Sequence, residues 1–116
     1  MTHEDVTHFA EQKKRALILI MNKRFDRNQY QRRDATVCAQ IMQDVTGDKG
    51  GDGKALFSNE QARKAEAQRR EDANLELAEI RTHIQHVENE IAEAEVDISY
   101  FNDMIRIGCA FAAVPV

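Results

Sequence analysis

The sequence of 116 residues has no tryptophan, one proline, five glycines and two cysteines, and aromatic residues make up 6% of it. The proline is Pro115, so nothing in the body of the chain fixes φ or removes a backbone donor. Four glycines (Gly47, Gly50, Gly51 and Gly53) fall close together, and the fifth is Gly108. An all-β sandwich would need turn residues about every 8–12 positions, which this distribution excludes. Cys38 and Cys109 lie far apart, which argues against a disulfide scaffold and gives no metal-ligand spacing. The longest strongly apolar run, Ala16-Leu17-Ile18-Leu19-Ile20-Met21, is far short of the ~20 residues that cross a bilayer. The opening Met1-Thr2-His3-Glu4-Asp5 lacks the basic segment and apolar stretch of a secretory leader. A soluble cytoplasmic chain with no membrane partner is the expectation.

Two long breaker-free segments remain. Residues 4–46 contain neither glycine nor proline, and the glycine patch ends them, with Gly47 placed for a left-handed C′ position. Ser58-Asn59-Glu60-Gln61 reads as a capping box with Ser58 as N-cap. From there to residue 107 no breaker intervenes, and Gly108 closes the segment. The predicted layout is a single domain over 1–116: helix 4–46, a hydrophilic loop 47–57, helix 58–107 and an apolar tail 108–116. At ~1.5 Å per residue the helices would be roughly 65 and 75 Å long, lengths typical of a coiled-coil hairpin.

In the second segment Ala73, Leu77, Ile80, Ile84, Val87, Ile91, Ala94, Ile98, Phe101 and Ile105 alternate spacings of four and three. That is an unbroken heptad seam, with Leu77, Ile84, Ile91, Ile98 and Ile105 at a and the others at d. Upstream, Ala62, Ala65 and Ala67 are the apolar side chains on offer, so the stem beside the loop should be thinly packed. The first segment carries two stripes. One runs through Ala10, Leu17, Met21, Ala35, Cys38, Met42 and Val45, interrupted by Lys14, Arg24, Asn28 and Gln31. The other runs through Val6, Phe9, Ala16, Ile20, Tyr30, Val37 and Ile41. A helix with two stripes touches more than one neighbour. The polar stretch from Asn22 leaves room for a bend, with Asp34 as N-cap.

Charge is divided between the segments. Residues 13–33 carry eight bases against Asp26, a net +7, and residues 71–103 carry ten acids against Arg81, a net −9. Two acidic helices side by side would repel, and the basic segment relieves this. Folding back at 47–57 would oppose residues whose numbers sum to about 104. The same pairing could form between chains. The second stripe and the apolar tail both need cover, so the expected architecture is all-α: a long antiparallel helical hairpin, assembled into an oligomeric helical bundle.

Motifs for chemistry are missing their essential parts. Gly51-Asp52-Gly53-Lys54-Ala55 has alanine where a P-loop needs Ser or Thr, and no strand precedes it. An EF-hand loop begun at Asp48 puts Gly50 at position 3 and Asn59 at position 12, where a bidentate Glu belongs. His83 and His86 would need further ligands to hold zinc. No nucleophile constellation and no paired-carboxylate pocket is legible. The expectation is a non-enzymatic protein without cofactor or metal, an interaction or scaffold protein that self-associates or docks a partner helix. Its assembly residues would be Leu77, Ile80, Ile84, Val87, Ile91, Ile98, Phe101 and Ile105. The alternative is nucleic-acid binding through Lys23, Arg24, Arg27, Arg32 and Arg33, with Phe25 and Tyr30 as stacking aromatics.

Gly53-Lys54, followed by Phe57-Ser58-Asn59-Glu60 and Arg63, resembles the turn joining two helices in small phage and prophage proteins. The resemblance covers roughly residues 30–108. It implies an accessory role near phage DNA replication or recombination, and it transfers no catalytic residue.

Overall fold

The computed structural model describes residues 1–113, with side chains through Phe111. The chain is all-α, a helical hairpin with no named strand among the described residues: α1 (His3–Gly47), α2 (Glu60–Ala73) and α3 (Leu75–Ala113). Val114, Pro115 and Val116, the end of the expected apolar tail, lie outside the described residues.

α1 is a single uninterrupted helix of 45 residues. Its start is a reciprocal cap: the Thr2 amide donates to the Asp5 carboxylate at 2.8 Å, and the Asp5 amide donates to the Thr2 hydroxyl at 3.2 Å. Asp34 is not an N-cap here; it faces Arg81 instead. Gly47 is the last helical residue and is not left-handed, since Gly53 (φ +78°) is the one glycine in that region among the described residues. The loop is a small turn closed by an isolated bridge between Lys49 and Ala55. Gly53 supplies its left-handed step, and the Asp52 carboxylate accepts from the Lys54 amide at 3.0 Å.

The cap of α2 lies one residue later than the capping-box reading placed it. Asn59, not Ser58, is the N-cap, its side chain accepting from the Ala62 amide at 2.7 Å. The second helix is also interrupted. Asn74 leaves the helical region (φ −82°, ψ 114°), and its side-chain oxygen accepts from the Leu77 amide at 2.9 Å, capping α3. An asparagine offers the backbone this alternative bond without any glycine or proline, which is why the break is silent to a search for breakers. Ala73 therefore ends α2, exposed, and the seam begins at Leu77. At the other end α3 runs straight through Gly108 to Ala113.

The described residues form two compact units: residues 1–27 with 86–113, and residues 28–85. In the second unit Ile41, Val45, Ala67 and Leu77 form the buried cluster, with Val37, Cys38, Met42 and Phe57 packed against it. Val45 and Leu77 have no exposed surface. In the stem beside the loop, α2 contributes Ala67 as its one buried side chain, and Phe57 of the loop packs against the same cluster. In the first unit the buried side chains are Ile20, Val87, Ile91 and Ala94. Phe9 lies across Phe101 and Tyr100, with ring centroids 6.4 and 6.1 Å apart.

The register differs from the expected one. Lys23 pairs with Glu90 in the first unit, and Tyr30 stacks on His83 in the second, both giving sums of about 113. The bridged turn and the non-helical Asn74 take up residues on the returning limb alone. Each α1 residue therefore meets a later partner than a symmetric fold-back at 47–57 provides.

Candidate interaction face

Burial on α1 follows the stripe through Val6, Phe9, Ala16, Ile20, Tyr30, Val37 and Ile41, every member of which is buried or half-buried. Interleaved with them are Lys23, Arg27 and Asp34, so the contact line also carries polar groups. In the first unit the Lys23 ammonium reaches Glu90 at 2.7 Å, and Arg24 reaches Glu95 at 3.7 Å. The hydrogen bond from Lys23 holds the Glu90 carboxyl below its usual range. In the second unit the polarity is reversed. Asp34 pairs with Arg81 at 2.9 Å, the one base of the acidic segment, and that bond lowers the Asp34 pKa against the opposing effect of burial. Surface pairs of this kind contribute ~0.2–1 kcal/mol each, so they select register while apolar burial supplies stability.

The Asp34 pair gives a signed pH expectation. Its folded pKa is lowered, so its contribution is complete above the ordinary carboxylate range and is lost as pH falls through the folded value. Asp34→Asn is expected to reduce stability by under ~1 kcal/mol at pH 7. In thermal melts followed by circular dichroism, the gap from wild type should narrow as pH falls below the ordinary carboxylate range. A constant gap across that range would assign the loss to packing.

The seam residues named from the heptads face α1. Leu77, Ile80, Val87 and Ile91 are buried, while Ile84, Ile98, Phe101 and Ile105 are half-buried. The hairpin closes within one chain and occupies them there. The five bases proposed for nucleic acid are not brought into one free stripe. Lys23 and Arg24 hold carboxylates, and Arg27 is half-buried on the contact line. Only Arg32 and Arg33 line an open groove of about 220 Å³, shared with Gln29, Thr36, Val37 and Glu76. Tyr30 stacks on His83 at 5.1 Å, with the Arg33 guanidinium over its ring at 5.9 Å. Its face is therefore taken, whereas Phe25 is open.

The histidine and thiol groups have local partners. His86 lies 2.9 Å from Glu90, apart from the His83 stack. Among the described residues no group of three or more His, Cys, Asp or Glu is arranged to hold a metal. Burial, with Glu71 and Asp34 nearby, pushes the Cys38 thiol up to about 12, so it stays protonated and a poor nucleophile at neutral pH. No helix among the described residues is long and apolar enough to cross a membrane.

What stands out is apolar surface left bare in the first unit, apart from Leu56 and Leu75 in the second. On α1, Leu17, Ile18, Met21 and Phe25 are 45–63% exposed. They extend the stripe that begins at Ala10. The far end of that stripe, Cys38, Met42 and Val45, is covered in the second unit by the cluster around Ala67 and Phe57. On α3, Val96, Tyr100, Ile107 and Phe111 are 41–69% exposed. Val96 falls at heptad position f and Tyr100 and Ile107 at c, the positions farthest from the seam. Apolar residues at c and f were the available sequence signal for this face, passed over because the a and d pattern is so regular.

No protein-family model, curated protein or solved structure matches the chain.

Proposed function

We propose that the protein is a non-enzymatic coiled-coil interaction or scaffold protein, working through the bare apolar face of the unit formed by residues 1–27 and 86–113. One observation carries this reading: the α1 stripe that is buried around Cys38, Met42 and Val45 continues uncovered through Met21 and Leu17. Large side chains exposed side by side at helical spacing mark a contact surface, whereas scattered ones carry no such meaning. The turn around Phe57-Ser58-Asn59-Glu60, with its likeness to small phage proteins, fits an accessory adaptor of that kind. Charge complementarity within the hairpin accounts for Lys23 and Arg24, which leaves the nucleic-acid reading as the weaker one.

A photo-activated cross-linker tests the proposal. Met21→p-benzoylphenylalanine, illuminated in the cells that make the protein, is expected to yield covalent adducts with protein. Uncross-linked chain alone at positions 21, 25 and 96 would overturn the reading.

A further inference from the structure

Resting on that reading, we infer that the occupant of the bare face is a second copy of this chain, with α1 of one copy lying against α3 of the other. Three observations converge on it.

The first is area. The chain exposes 8460 Å² at a mass of 13.3 kDa. A compact monomer of that mass exposes about 6,450 Å², so the excess is about 2,000 Å². A standard dimer takes about 800 Å² from each partner, well within that excess.

The second is charge. The exposed bases flanking the α1 stripe are Lys14, Arg15 and Arg24, and the exposed acids flanking the α3 stripe are Glu93, Asp97 and Asp103. Lys14, Arg15, Glu93 and Asp97 have no ion-pair partner among the described residues. Two α1 faces together would oppose like charges, and so would two α3 faces. The unlike pairing alone sets base against acid.

The third is spacing. Lys14, Leu17, Met21, Arg24 and Asn28 repeat at intervals of three and four, and Glu93, Val96, Tyr100, Asp103 and Ile107 repeat in the same order. Laid parallel, Lys14 meets Glu93, Leu17 meets Val96, Met21 meets Tyr100 and Arg24 meets Asp103. The reversed alignment serves equally: Lys14 then meets Asp103, Leu17 meets Tyr100, Met21 meets Val96 and Arg24 meets Glu93. A two-fold axis across the helices produces the parallel pairing and one along them the reversed pairing, because α1 and α3 of one chain run antiparallel. The contact then occurs twice per dimer.

Light scattering and sedimentation equilibrium on the purified full chain are the test. The wild type is expected at twice the chain mass. Met21→Asp and Val96→Asp both change exposed residues, so helicity and Tm should stay near wild type while each variant alone becomes monomeric. An equimolar mixture of the two should recover dimer, since one of its two contacts is free of both substitutions. A wild type that is monomeric up to millimolar concentration overturns the inference. So does a dimer that Met21→Asp abolishes and Val96→Asp leaves intact, which would pair α1 with α1. Cross-linking at position 21 to other proteins, with a monomeric wild type, would sink the self-association and spare the interaction reading.

Discussion

Leu77→Ala should lower the stability of the protein by about 2–5 kcal/mol, the range for removing a fully enclosed aliphatic side chain. Leu77 has no exposed surface, and its cluster partners Ile41, Val45 and Ala67 come from both α1 and α2. It is also the first inward residue of α3, three positions after Asn74, so the neighbouring backbone is fixed by the cap from Asn74 to the Leu77 amide. A cavity there has little freedom to collapse, which places the cost toward the upper part of the range. Urea titration monitored by helicity is the measurement. The midpoint should fall with an unchanged slope. Leu75→Ala is the control: Leu75 is 85% exposed, two residues away, and should leave the midpoint within experimental scatter. Equal losses from the two would refute the position of the seam.

Gly108→Leu is expected to be the second most damaging change, at about 1–3 kcal/mol from overpacking. A Cβ built on Gly108 would overlap the Val6 side chain and lie 2.6 Å from the Met1 sulfur. Met1 can swing away, but Val6 is branched at Cβ and has little rotamer freedom in a helix. A side chain at position 108 therefore pushes the start of α1 off α3. Val6→Ala in the same chain should recover much of the loss, a non-additivity that a double-mutant cycle of denaturation free energies would measure. Additive losses would mean that the two residues do not meet.

That same glycine shows where the sequence is ambiguous. A lone glycine after a long helical pattern reads as a stop, and Gly108 is instead a point of close helix approach within α3. The two uses look identical without the partner, here Val6 from the opposite limb of the hairpin. The seam from Leu77 onward is legible because nine consecutive a and d positions leave no competing frame. Asn74 is not, because its break depends on a side-chain bond to a backbone amide and on no change of composition. Register depends on both the turn and that break, so it inherits the uncertainty of each. For the bare face, the two stripes on α1 were readable from spacing alone. Which of them α3 takes is settled by the polar residues at 23, 27 and 34. Their opposite numbers on α3 include Glu90 and Arg81, at 2.7 and 2.9 Å, closer than the Arg24–Glu95 pair of the other stripe at 3.7 Å.

The interruption at Asn74 also divides the cooperativity of the molecule unevenly. α1 is one hydrogen-bonded block of 45 residues, while the return is split into blocks of 14 and 39. A helix of about 12–15 residues is marginal by itself in water, and α2 has Ala67 as its one buried side chain. The loop end can therefore open as a unit, stopping at Asn74, without unzipping α3 behind it. Asn74 acts as a firebreak: it confines fraying to the tip and leaves the unit that carries the bare face intact.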